Sequence, residues 1–280
     1  MGYWTLDDIG WDRFDPSKVD PELLKVIKAA SLVERNARDY AAYLCSVFKD
    51  DPEVLRTIHA WAAEEVQHGM ALGRWAQMAD PGFDFEAAFR QFIAEIKLPL
   101  EATESVRGSR TGEWVARCVV ETGTSSMYTA LAQAAEEPVL KQICQHVAAD
   151  EFRHYKLFYS HLKRYLVSEK VGFWRRLRVA LSRAAESEDD ELAYAYYAAN
   201  HRHDGPYDRR TYVERYARRT FRHYRYSHIE RGFAMVFKVV GLKPHGWLNR
   251  VVAIVAHRVL RWRMRRFELR EIKAAAAASA

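Results

Sequence analysis

Cysteine is scarce in this 280-residue chain: Cys45, Cys118 and Cys144 are widely spaced, odd in number and without a Cys-x-x-Cys pair. That pattern argues against a disulfide framework and for three buried, reduced thiols in a cytoplasmic protein. Long apolar runs are missing too. No stretch reaches eighteen apolar residues, so no membrane-spanning helix is expected. The amino-terminal MGYWTLDDIGW carries acids and no apolar centre, unlike a signal peptide. There is no glycine-rich phosphate loop and no nucleophile elbow, which removes the commonest nucleotide-binding and hydrolase signatures.

What is present is an ordinary globular composition, 49% hydrophobic and 29% charged, with a net charge of +6 and a pI of about 9.1. The basic excess lies mainly after residue 160 and favours acidic partners: a carrier protein, an anionic lipid surface or nucleic acid. The length suits one domain with extensions or two domains.

Helical signals dominate. Residues 1–19 lack periodicity and read as an arm packed on a helical bundle. Asp20-Pro21-Glu22 is an N-cap, a first-turn proline and a first-turn acid, and opens a helix running to about Lys49. Asp51-Pro52-Glu53 repeats the signal for a second helix that stops near Met78, so the first pair should form a hairpin. A crossover with a short helix at 85–97 leads to helices at 112–136 and 138–167, again tightly joined. The expected fold is all-α: a ferritin-like four-helix bundle of two hairpins joined by a crossover over residues 1–170. Additional helices over 171–280 would form a basic extension packed on it. Within that extension the sequence suggests helices from about 172, at 192–200, 208–240 and 247–273, with an acidic break at 187–191. The tail AAAAASA reads as frayed or as an extension of the last helix.

Two stretches carry the chemistry. AWAAEEVQHGMAL contains Glu65 and His68, and AADEFRH contains Glu151 and His154. Residues three apart on a helix present their side chains from one face, and both pairs fall on the apolar stripe of their helix. A carboxylate on an inward face is costly unless it is paired or binds a cation. Some thirty residues before each pair, a lone acid interrupts an apolar stripe: Glu34 before the first and Glu121 before the second. Glu, Glu-x-x-His, Glu, Glu-x-x-His on four successive helices is the ligand pattern of a di-iron or di-manganese carboxylate bundle. Imidazole and carboxylate suit iron and manganese, and without thiolates a zinc-finger or iron–sulfur reading has no support. Two reduced ions there could pass electrons to dioxygen and yield an oxidant for an unactivated C–H bond.

After Glu121 come Thr122, Gly123, Thr124, Ser125 and Ser126, small and hydroxylic residues where helix propensity favours Ala or Leu. Thr124, one turn past Glu121, is either a hydrogen-bonding group beside the ions or a hydroxyl satisfied by a backbone carbonyl. Gly123 and Ser125 would leave room for dioxygen or substrate.

AWAAEEVQHGMAL and QICQHVAADEFRH resemble the two Glu-x-x-His regions of the soluble acyl-carrier-protein desaturases, in the ferritin-like di-iron superfamily. The likeness includes Ala60, Trp61, Glu64, Gly69, Gln142, Ile143, Cys144, Asp150, and Glu121 with Thr124 three residues later. It spans roughly residues 23–163. It implies two ferrous ions, bridged by Glu65 and Glu151, with Glu34 and His68 completing one site and Glu121 and His154 the other. Asp150 would accept a bond from His68, and Asp150 and Thr124 are the candidate catalytic residues beside the ligands. Trp61 would be either an electron-entry residue or a core tryptophan.

The expected activity is that of an O2-dependent di-iron oxidoreductase, foremost a desaturase of an acyl chain, with manganese as the alternative metal. Its electron donor would be acidic, such as ferredoxin, and its substrate an acyl carrier protein or acyl lipid. A related hydroxylase or N-oxygenase of another metabolite is the nearest alternative, and a ferritin-like iron oxidase, iron store or peroxide scavenger the next. The extension after Gly172 has no counterpart in the likeness. Its last helix, 247–273, interleaves apolar residues with seven arginines and is either packed along the bundle or docked on an acidic carrier or a membrane surface. Nucleic acid is disfavoured for want of a recognition motif, and a homodimer is left open.

Overall fold

The computed structural model describes residues 3–100, 102–186, 190–201 and 203–278, and these are all-helical. Three short 3-10 turns, Leu6–Asp8, Trp11–Arg13 and Pro16–Lys18, precede eleven α-helices: α1 (Pro21–Arg35), α2 (Ala37–Val47), α3 (Pro52–Ala79), α4 (Phe85–Glu95), α5 (Arg110–Ala134), α6 (Pro138–Glu169), α7 (Phe173–Ala185), α8 (Asp190–Asn200), α9 (Arg209–Phe221), α10 (Tyr226–Val240) and α11 (Trp247–Ala278). No helix among the described residues is long and apolar enough to cross a membrane.

The starts follow the capping signals. Asp20, Asp51, Ser109 and Glu137 accept first-turn N–H groups of α1, α3, α5 and α6, and Pro21, Pro52 and Pro138 occupy positions whose N–H would be unsatisfied in any case. Cross-helix bonds fix the directions. Lys28, midway along α1, meets Asp80 at the end of α3 while Arg35, the last residue of α1, lies against Gly69 further back in α3, and the backbone N–H of Arg110 at the start of α5 bonds Glu169 at the end of α6. Trp75 late in α3 donates to Glu137 before α6 at 2.7 Å. The neighbours α1 and α3, α5 and α6, and α3 and α6 therefore run antiparallel.

Two helices expected as continuous are broken. The stretch 20–49 divides at Asn36 into α1 and α2. There the Asn36 N–H reaches back to the Val33 carbonyl, and the backbone of Arg35 lies against Gly69 of α3. The stretch 208–240 divides into α9 and α10, where the Arg225 N–H bonds Nδ1 of His228 at 3.1 Å and starts the new helix. α11 runs five residues past the expected end at 273, so the alanine tail extends the helix as far as Ala278. Most of the acidic break, 187–189, lies outside the described residues.

The arm lies across α3 and α6, with Gln67 donating to the Trp4 carbonyl and Gln142 tied to Asp8 and Gly10. Cys118 and Cys144 are buried and Cys45 only half-buried, and all three are free thiols. The later helices pack on the first six: α8 on α1 and α4, α9 on α8 and α1, and α7 and α10 on α5, with α11 against α10 and α9.

Candidate metal centre

α1, α3, α5 and α6 each send acids inward at one level. Glu34, Glu65, His68 and Glu151 form one group, and Glu65, Glu121, Glu151 and His154 a second. In each, one possible ligand atom per residue lies within 4.8 Å of the others, and all six side chains are buried. The groups share Glu65 and Glu151. Nδ1 of His68 is 3.3 Å from Glu151, 3.5 Å from Glu65 and 3.8 Å from Glu34. Nδ1 of His154 is 3.0 Å from Glu65 and 3.6 Å from Glu121.

The atoms that face inward are the ones left without hydrogen bonds: Nδ1 of both histidines and one oxygen each of Glu65, Glu121 and Glu151. Buried polar atoms are almost always satisfied, so five atoms without a hydrogen bond at one point form a cluster that could hold a cation. Charge agrees, since four carboxylates would be neutralised by two divalent ions.

Without ions the protein must compensate with protons. Burial, reinforced by the charge on Glu65, pushes the Glu34 carboxyl up to about 8. Burial and the neighbouring Glu151 raise Glu121 well above its usual range, and burial with Glu65 raises Glu151. Glu65 moves the other way: burial opposes its ionisation, but the close approach of the His154 and His68 imidazoles outweighs that. Both imidazoles are raised despite burial because carboxylates surround them.

Outward, each histidine is held by the acid that precedes the other motif's glutamate. Nε2 of His68 meets Asp150 at 3.1 Å, and Nε2 of His154 meets Glu64 at 2.7 Å. Arg153 bonds both Asp150 and Glu64 and so couples the two supports. The Trp4 indole donates to Asp150 at 2.6 Å and stacks on His68 at a centroid separation of 6.0 Å. Burial alone would raise the Asp150 carboxyl, but bonds from His68, Trp4 and Arg153 hold it at about 2. An acceptor on the distal nitrogen fixes the tautomer that presents Nδ1 to a cation.

The structure thus brings all six candidate ligands together and sets Asp150 on His68. Thr124 lies within hydrogen-bond reach of both Glu151 and, at 3.2 Å, the Val120 carbonyl. Ser125 bonds the Thr122 carbonyl and does not line the cavity that Gly123 faces. Trp61 packs edge-on against Phe158 in the core. Sequence reasoning gave no role to Trp4, Glu64 or Arg153. Tyr128, which the ligand pattern does not include, donates its hydroxyl to Glu34.

The cavity, about 370 Å3, opens beside Glu34 and Thr124. Its near wall is α5 through Val119, Gly123 and Met127, and its far wall is α9 and α10 through Phe221, Ile229 and Phe233. A Cβ added at Gly123 would meet nothing within 4 Å. A second surface recess between α2 and α3, lined by Cys45, His59 and small residues, lies apart from the acids.

No family model matches the chain, and no curated protein matches it significantly.

Proposed function

We propose that the chain is an O2-dependent di-iron oxidoreductase acting on an apolar substrate, with desaturation of an acyl chain as the reaction its sequence resemblance favours. In this reading the four ligand-bearing helices form a ferritin-like bundle of two hairpins joined by the α4 crossover. The observation that carries it is the coincidence of five partnerless inward atoms with two overlapping Glu/His groups beside a mainly apolar cavity. Glu34, Glu65, His68 and Glu151 would hold one ion, and Glu65, Glu121, Glu151 and His154 the other. A bound ferrous pair would supply electrons to dioxygen and the oxidising power to remove hydrogen from an unactivated C–H bond.

The chain's own residues do the rest. Asp150 and Glu64 hold the imidazoles with Nδ1 inward, and Arg153 bridges those two acids. Tyr128 and Thr124 orient the Glu34 and Glu151 carboxylates by donating to them. The mainly apolar cavity walls would receive a chain laid past Gly123 and Thr124. Electrons would come from an acidic external donor such as ferredoxin, and the substrate from an acyl carrier protein or an acyl lipid.

Anaerobic loading should give two ferrous ions per chain, one for each group, and Glu34→Ala or Glu121→Ala should lose ion binding and O2 consumption while keeping helical content. A new double bond in the fatty acids of expressing cells supports desaturation. An unchanged profile with O2 uptake on another metabolite moves the reading to a hydroxylase or N-oxygenase. A protein that takes up no iron refutes all of these.

A further inference from the structure

A helix with one apolar stripe needs one partner surface, but α11 is apolar on two sides and the fold covers only one. Its inner side holds buried Asn249 and Ala253 and half-buried Leu260 and Phe267. Asn249 donates to Glu230 of α10 at 2.9 Å, and Arg270 pairs with Glu214 of α9 at 3.2 Å. The outer side carries Trp247, Val251, Ile254, Val255, Val259 and Trp262, all exposed, with Trp247 at 76% and Trp262 at 55%. At 3.6 residues per turn these six fall within about 140° of the helix circumference and along roughly 23 Å of its axis. Isolated exposed apolar residues need no explanation, whereas a continuous strip of this length does.

The charge around the strip indicates what covers it. Residues 247–267 contain six arginines and no aspartate or glutamate. Arg250, Arg258, Arg261, Arg265 and Arg266 are exposed on or beside the strip. Arg266 lies over the Trp262 ring at 4.6 Å, a cation held at the edge of an amphipathic ring. A second copy laid face to face would oppose arginine to arginine. An anionic bilayer takes both components at once, with apolar side chains entering the headgroup boundary and guanidinium groups reaching up to phosphate.

We infer that α11 docks the protein on an anionic lipid surface, lying in the plane of the interface on its Trp247–Val251–Val255–Trp262 side. The inference is independent of the metal centre. It does bear on the centre, because α10, on which α11 packs, also supplies Ile229 and Phe233 to the cavity wall. The docked face is therefore one helix away from the proposed substrate space.

The test is co-sedimentation of the full-length chain with phosphatidylcholine vesicles, with and without phosphatidylglycerol. Binding is expected to the anionic vesicles, weakening as salt is raised. Val251→Asp with Val255→Asp should lower the partition coefficient about tenfold or more. Arg258→Gln with Arg265→Gln should weaken binding only where phosphatidylglycerol is present. These side chains are exposed, so melting temperature and iron content should match the parent protein. Three results would overturn the inference: a chain that stays in the supernatant with anionic vesicles at low salt, binding that ignores both pairs of substitutions, or self-association in the ultracentrifuge that Val255→Asp abolishes.

Discussion

An imidazole that offers Nδ1 to a cation must have Nε2 held elsewhere, and a carboxylate that will share a cation must otherwise share protons. Glu34 shows the second constraint in measurable form. In the ion-free protein its carboxyl is raised to about 8, whereas an unfolded chain releases that proton near about 4.3. The folded state therefore binds more protons between those values. The resulting stability is fully present below about 4.3 and is lost as pH rises through about 8. Glu34→Gln cannot ionise, so in chelator the variant should gain on wild type as pH rises from about 4 to about 8, read as the difference in melting temperature. With ferrous ion present the order should reverse, because the variant has lost a charged ligand. The six ligands were legible because a three-residue spacing and an apolar stripe are both local. Trp4, Glu64 and Arg153 were not, because each acts by a pairing between helices, or between the arm and a helix, that no spacing encodes.

At the scale of the helix, the break at Asn36 and the glycine at 69 are one feature. A Cβ on Gly69 would come within 2.5 Å of the Arg35 backbone nitrogen, so the place where α1 ends is also the place where it touches α3. Glu34 precedes that contact and His68 precedes Gly69, which sets the two ligands opposite each other. Gly69→Ala should cost about 1–3 kcal/mol by forcing backbone apart, measured by urea unfolding in chelator, and should weaken ion binding as well. Gly123→Ala is the contrast. The added methyl meets nothing within 4 Å, so restoring helix propensity should stabilise by up to about 1 kcal/mol. The starts of α1, α3 and α6 could be read from Asp-Pro and Glu-Pro pairs. The breaks could not, since neither 36 nor 222–225 holds a proline or glycine: the first lies at a contact with α3, and the second at a cap that the His228 side chain gives the Arg225 N–H.

For the molecule as a whole, the second half of the chain does more than its charge suggested, since α9 and α10 close the cavity that α5 opens. Their apolar residues recur at helical spacing, but the sequence could not say which surface they covered. Ions bound at the junction of four helices stabilise only the folded state. Each site filled to 100 times its dissociation constant should add about 2.7 kcal/mol, so chelation should lower the melting temperature by several degrees, visible by calorimetry. The arm enters the same balance. Trp4 reaches Asp150, and Asp150 holds His68, so residues 3–19 act as a latch on one ligand. A bulky fusion partner or a protease cut that lifts this segment would remove the ring stacked on His68 and one of the two donors, Trp4 and Arg153, that hold Asp150. Batches of protein differing only in what is attached at the amino end would then differ in how much iron they carry.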